Sequence, residues 1–252
     1  MKRFPKRLRL LLILTIVLLA LLFVGQAVER WHYVLPAPPG QLIYAATFDS
    51  FTDEWRLYEG RLSAVVIDNA LRLSVGDYQS GPYSEAEPFF ADFDVRVEAT
   101  PISGPLDNAY GLIFRLADRN SYYLFLVSSD GYYRVSRRVG GVERVLSNWI
   151  RAPFVRDGLE VTNTLRVVAR GSTFHFYIND TLAPLCIPND ANAESTYYLG
   201  QCQDGTMQDR LTDSSISSGQ IGVIAQRFDE DDSVIVDFDN LLVFGPEEIE
   251  TP

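Results

Sequence analysis

Asp92-Phe93-Asp94-Val95-Arg96-Val97-Glu98-Ala99 alternates polar and apolar side chains without a break. Successive side chains of a β-strand point to opposite faces, so a period of two predicts a half-buried strand. The rhythm returns downstream. Leu165, Val167 and Ala169 alternate with Arg166 and Arg170, and Phe174, Phe176 and Ile178 alternate with His175, Tyr177 and Asn179. Turn-forming residues separate such runs at Asp68-Asn69, Asp118-Arg119-Asn120, Asp130-Gly131, Gly140-Gly141, Arg170-Gly171-Ser172 and Asn179-Asp180. No 3.6-residue period occurs beyond the N-terminus. Many short strands with close turns predict an all-β chain folded as an antiparallel jelly-roll sandwich.

Composition agrees with a folded core. The chain has 252 residues, 47% of them hydrophobic, with 13 Tyr and 15 Phe. Aromatic residues favour the pleated surface of a sheet. Charge is uneven. Lys2, Arg3, Lys6, Arg7 and Arg9 are five of the 22 basic residues, which leaves 17 against 33 acidic residues, a net of −16. Such a surface repels nucleic acid, so no nucleic-acid partner is expected. No Lys follows Lys6, which excludes Schiff-base and P-loop chemistry in the folded part.

Residues 10–28 are uncharged and nearly all apolar. Nineteen residues at ~1.5 Å rise reach about 28 Å, close to a hydrocarbon core. With basic residues 1–9 in front, the positive-inside rule predicts a single-pass signal anchor, a cytoplasmic N-terminus and an extracytoplasmic domain on the cell membrane. The rival reading is a signal peptide cleaved near Gly25-Gln26-Ala27. Residues 29–40 form a Pro-rich spacer, 41–246 the sandwich, 188–218 a long polar insertion within it, and 247–252 an acidic tail. Residues 77–88 read as a loop with a short strand.

One hairpin can be registered from sequence. A two-residue Asp130-Gly131 turn sets Ser129 opposite Tyr132, Leu126 opposite Val135, Phe125 opposite Ser136, Val127 opposite Arg134 and Tyr123 opposite Arg138. Across the Asp118–Asn120 turn, Leu112 then meets Leu126 and Phe114 meets Leu124, which defines a core face. Arg115 meets Tyr123 and Ile113 meets Phe125 on the other.

These strands carry a family pattern. Asn108–Arg115, Ser121–Phe125, Asp130–Tyr133, Asn163–Val167, Phe176–Asn179, Gly219–Val223 and Val236–Asn240, with Thr47–Phe51 and Trp55 at the start, resemble the concanavalin A-like lectin/glucanase superfamily. The nearest branch resembles the 3-keto-disaccharide hydrolase-type, laminarinase-like sandwich domains of bacterial exported proteins. The resemblance implies fold more than function, because this sandwich hosts lectins, hydrolases and spacers alike.

Catalytic signals are sparse. The two glutamates and one aspartate that laminarinase-like relatives alternate along a strand have no counterpart here. Glu85 and Glu87 lie two apart and so ~7 Å along a strand, a spacing that suits glycoside hydrolysis; the simpler reading is a solvated edge. His175 is the one histidine within the sandwich, and it reads as a strand residue rather than a base. The resemblance also implies a structural Ca²⁺ near the first and last strands, where Asp49, Asp237 and Asp239 match; the alternative is backbone hydrogen bonding. No cofactor is required. Cys186 and Cys202 flank the insertion as a disulfide or as two buried thiols. Arg115, Tyr123, Phe125, Arg134 and Arg138 are expected on one exposed face, either as a glycan site or as a cation–π ladder that only stabilises the sheet. The sequence therefore reads as a membrane-tethered module that binds carbohydrate without catalysis. A hydrolase of a keto-sugar or glycoside, and a structural or protein-interaction domain, are the alternatives.

Overall fold

A computed structural model describes residues 6–29, 33–49, 53–76, 81, 83–190, 192–228 and 233–248. The chain divides into two compact units, Met1–Tyr33 and Val34–Pro252. The first holds helix α1, Lys6–Glu29. Its described side chains, residues 11–22, are all exposed. No helix among the described residues is long and apolar enough to cross a membrane. That corrects the expectation of a spanning anchor over 10–28, and with it the single-pass topology and the cell-membrane placement drawn from it. The side chains of residue 10 and residues 23–28 lie outside those described.

The second unit is a β-sandwich. In chain order its strands are β1 (Leu42–Ala46), β2 (Leu62–Ile67), β3 (Ala70–Val75), β4 (Tyr83–Phe90), β5 (Phe93–Ser103), β6 (Asn108–Asp118), β7 (Ser121–Val127), β8 (Tyr132–Val139), β9 (Val142–Arg151), β10 (Asn163–Arg170), β11 (Thr173–Ile178), β12 (Thr181–Leu182), β13 (Leu185–Pro188), β14 (Thr196–Tyr198), β15 (Gln201–Gln203), β16 (Gly205–Gln208), β17 (Leu211–Thr212), β18 (Gly219–Arg227) and β19 (Val234–Phe244). One sheet runs β12-β11-β10-β5-β19-β3-β2, with β1 added to β19 and β17 to β11. The other runs β4-β18-β6-β7-β8-β9. Residues 83–90, expected mostly as loop, form a full edge strand.

The alternation that predicts the strands also fills the core. Phe93, Val95, Val97 and Ala99 of β5 are wholly buried, and so are Leu165, Val167 and Ala169 of β10 and Phe174, Phe176 and Ile178 of β11. The six-stranded sheet answers with Leu112, Phe114, Tyr123, Phe125 and Val127. Phe114 stacks on Tyr123 at 5.4 Å between centroids, Tyr123 meets Phe174 at 5.1 Å and Phe125 meets Phe176 at 5.0 Å. Each buried ring adds roughly 1.5–3 kcal/mol of hydrophobic stabilisation.

The β7–β8 register differs from the expected one by a single residue. Tyr123 lies opposite Arg137, Phe125 opposite Val135 and Val127 opposite Tyr133. The cause is the turn. Ser128 N donates to Tyr132 O at 2.9 Å and Gly131 N donates to Ser128 O at 3.0 Å. The loop is thus Ser129-Asp130-Gly131, three residues ending in a glycine at φ 91°. This is a type I turn closed by a left-handed residue, not a two-residue turn. A slip of one residue exchanges the two faces of a strand. Across β6, Leu112 now faces Phe125 and Phe114 faces Tyr123.

The insertion is structured. It forms the small sheets β13–β16 and β14–β15. Cys186 and Cys202 are bonded, with Cα atoms 5.4 Å apart. Ser195 Oγ donates to Cys186 O at 2.7 Å, and Arg144 Nη2 donates to Ala193 O at 2.6 Å, which ties the insertion to β9.

Candidate functional site on the outer sheet face

The slipped register takes Tyr123 and Phe125 off the expected ligand face, and a bulge takes Arg115. Arg115, Tyr123 and Phe125 are buried in the interior. Tyr123 Oη donates to Asp213 Oδ1 at 2.7 Å, and Arg137 Nη1 donates to the other oxygen of Asp213. Burial opposes ionisation of Asp213, yet the hydrogen bonds from Tyr123 and Ser215 and the charge of Arg137 hold its carboxyl below the usual range. Burial, reinforced by Asp213, pushes the Tyr123 hydroxyl up.

Arg115 sits on a β-bulge. Pairing of β6 with β7 shifts between Phe114 and Asp118, and Arg115 has φ 46°. The bulge turns its side chain inward over Phe174, 4.6 Å from the ring centroid. The guanidinium donates to Ile216 O at 2.8 Å, to Gly171 O at 2.5 Å and to Ala91 O at 3.0 Å. It is a clamp on three segments at one end of the sandwich, not a ligand contact.

Arg134 and Arg138 do stand on the outer face of the six-stranded sheet. Arg134 Nη2 bonds Glu143 Oε1 at 2.6 Å and its guanidinium lies 5.8 Å from the Trp149 ring. Arg138 donates to Gly141 O at 3.0 Å and to Tyr122 Oη at 3.3 Å. The floor between them is apolar: Ala109, Ile113, Leu116, Leu124, Leu126 and Ile224, with Tyr83, Tyr122 and Trp149 laid over it. Leu124 and Leu126, which the expected register would have put in the core, therefore belong to a second hydrophobic layer outside the sheet.

Two depressions interrupt this layer. One, of about 170 Å³, is lined by Asp107, Ser128, Asp130, Tyr132 and Trp149. The three-residue turn builds it, since Ser128 Oγ donates to Asp130 Oδ1 at 2.5 Å and fixes that carboxylate beside the two rings. Trp149 is braced edge-on by Phe228, 6.3 Å between centroids. The other, of about 320 Å³, is lined by Arg56, Tyr83, Glu85, Leu116, Asp118, Arg119 and Gln220. Beyond the Asp130-Gly131 turn a further hollow of about 390 Å³ is bounded by Gly131, Arg151, Ala152, Pro153, Val155 and Asp157.

The remaining expected sites fare differently. Glu85 enters the second depression, whereas Glu87 is exposed and does not line it. Burial raises the Glu85 carboxyl above its ordinary value, partly offset by Arg56. His175 points away from the core between Phe174 and Phe176, on the sheet that carries neither depression, and burial lowers its pKa. The Ca²⁺ triad does not fit a metal. Asp237 is held by Arg72 through two bonds of 2.7 Å, and Asp49 is exposed. Burial and the nearby Glu98 and Asp49 raise the Asp239 carboxyl. Among the described residues, no group of three or more His, Cys, Asp or Glu is placed to hold a metal ion. The Asp229–Asp232 run lies outside the described residues.

Sequence reasoning missed Trp149 and Tyr132. The usable signal was the alternation itself: with Tyr133 and Val135 inward, Tyr132 stands outward beside Arg134, and Trp149 stands outward beside the buried Ile150.

No protein-family model and no curated protein matches the sequence. Solved structures do match in fold. The carbohydrate-binding module CBM66 from Bacillus subtilis superposes with a TM-score of 0.51 at 17% identity, over 75% of this chain and 93% of that one. A Bacillus subtilis protein of unknown function with a galectin-like fold gives 0.56 at 13% identity, over 83% and 98%. The Bacillus licheniformis β-glucanase gives 0.51 at 9% identity, over 80% and 97%. The chain has the concanavalin A-like, galectin-like sandwich fold.

Proposed function

We propose that this sandwich binds carbohydrate through the depression at Trp149 and Tyr132. One observation carries the reading. Two aromatic rings stand beside the carboxylates of Asp107 and Asp130 and the hydroxyl of Ser128. Flat rings cover the C–H face of a sugar, and carboxylates accept from its hydroxyls. A small apolar pocket with a few converging polar groups is the usual form of such a site. Arg134, 5.8 Å from the Trp149 ring, would add a donor beside it. The carbohydrate-binding module and the β-glucanase among the structural neighbours support the choice of ligand class.

The test is retention in native gels containing xylan, mixed-linkage β-glucan or levan, followed by calorimetry with the retained polysaccharide. Trp149→Ala should weaken binding at least tenfold, about 1.4 kcal/mol, with an unchanged circular dichroism spectrum. Asp107→Ala, an exposed change, should weaken it too. Unaltered binding by both variants would reject the site. Hydrolysis is the competing reading, and the raised carboxyl of Glu85 favours it. Release of reducing ends that disappears in Glu85→Gln would establish it.

A further inference from the structure

We propose that the depression between β4, β18 and β6 is a second sugar-hydroxyl site, so that the outer face takes an extended glycan chain rather than a single sugar. The inference rests on the glycan reading above, but its evidence is separate. Arg56 Nη1 lies 3.4 Å from Glu85 Oε1, too long for a strong charge-assisted bond. Glu85 Oε2 is shut from solvent and has no hydrogen-bond partner. A buried carboxylate oxygen without a donor is costly, so the Glu85 carboxylate keeps unused acceptor capacity at the wall of the depression that it lines. Arg56 is held in place by the rings of Tyr58 and Tyr83, 5.6 and 5.7 Å from their centroids. An arginine beside a carboxylate offers a donor and an acceptor side by side. Two neighbouring ring hydroxyls answer that pair, one accepting from Arg56 and the other donating to Glu85.

The backbone is opened at the same place. Pairing of β18 with β4 and with β6 shifts between Gln220 and Gly222, and the β6–β7 shift lies between Phe114 and Asp118. Bulges concentrate beside functional sites because they re-aim side chains and end pairing. Gly222 permits the close approach of β4, since a Cβ there would lie 2.3 Å from Ser84 O.

The two depressions share one face and lie at opposite ends of one strand. Asp107 immediately precedes β6 and Asp118 ends it. Its 11 residues make ten rises of ~3.3 Å, at most about 33 Å with the bulge at Arg115. Only a chain of several sugar units reaches both. Joining two weak sites through one ligand raises apparent affinity by roughly 10²–10⁴ without new contacts.

The experiment uses the polysaccharide retained among xylan, mixed-linkage β-glucan and levan, together with a trisaccharide cut from it. Calorimetry should count two trisaccharides per wild-type chain, one per Arg56→Ala chain and one per Trp149→Ala chain. Arg56→Ala and the isosteric Glu85→Gln should each weaken the polysaccharide at least tenfold. One trisaccharide per wild-type chain, with Arg56→Ala and Glu85→Gln binding polysaccharide as tightly as wild type, would overturn the second site and leave the Trp149 site standing. Retention by none of the three polysaccharides would reject both.

Discussion

Replacing Arg115 with Met tests directly whether the β6 bulge turns this side chain inward. Met keeps the aliphatic stem and removes every donor. The carbonyl of Ile216 would then be buried without a partner, and those of Ala91 and Gly171 would lose theirs at the margin of the core. An orphaned buried acceptor that had faced a charged donor costs about 2–3 kcal/mol, and a partly solvated one about 0.5–1. Loss of the cation over Phe174 adds about 1 kcal/mol. Relief from burying a guanidinium offsets part of this, since burial already lowers its pKa. The net loss is about 3–4 kcal/mol, which lowers Tm by about 6–16 °C for a domain of this size. Thermal and urea denaturation read the change. Below the transition, polysaccharide binding should be that of wild type. A Tm within 2 °C of wild type would mean the clamp is not formed. A folded variant that no longer binds would return Arg115 to the ligand face.

Removing the Cys186–Cys202 bond, whose partners are 16 residues apart, should cost about 3 kcal/mol in the chain-entropy model. Cys202→Ser should therefore melt about 6–12 °C lower and admit protease between residues 189 and 201; an unchanged digestion pattern would show that packing alone holds the insertion. Glu85→Gln should separate from wild type by pH. A carboxyl raised above its ordinary 4.5 contributes stability that is present below that value and lost as pH rises through the folded-state value. The variant, uncharged throughout, should match wild type near pH 4 and melt higher at pH 8. Parallel melting curves across that range would contradict a desolvated Glu85.

The strands were legible because their partners were unambiguous. Phe93, Val95 and Val97 alternate with Asp94 and Arg96, so only one face of β5 can be inward. β7 is different. Tyr122, Leu124 and Leu126 on one face are as apolar as Tyr123, Phe125 and Val127 on the other. Its pattern cannot choose a side, and the choice passes to turn geometry. Asp130-Gly131 suits a two-residue or a three-residue loop, and only the backbone bonds at Ser128 decide. The candidate site inherited that ambiguity. Arg134 and Arg138 keep their place because Val135 must be inward in either register. Arg115, which a bulge re-aims, could not be placed by counting alternate residues. The metal triad failed for another reason, since β3 brings Arg72 to Asp237 from 165 residues away.

The two ends of the sandwich meet in one place. β1 pairs antiparallel with β19 so that Leu42 lies opposite Phe244, and Gly40 N bonds Gly245 O at 2.8 Å. A load applied through both termini would therefore pull on partners that face each other across a ladder. The bonds of Leu42, Tyr44, Ala45 and Ala46 would open in succession, as a zip does, and none would share the force with the next. Loaded through one terminus and a distant loop, the same ladder would be strained along its length and its bonds would resist together. Under tension the sandwich is thus directional: soft to a pull on its own ends, stiffer to a pull arriving through the far end of the sheet.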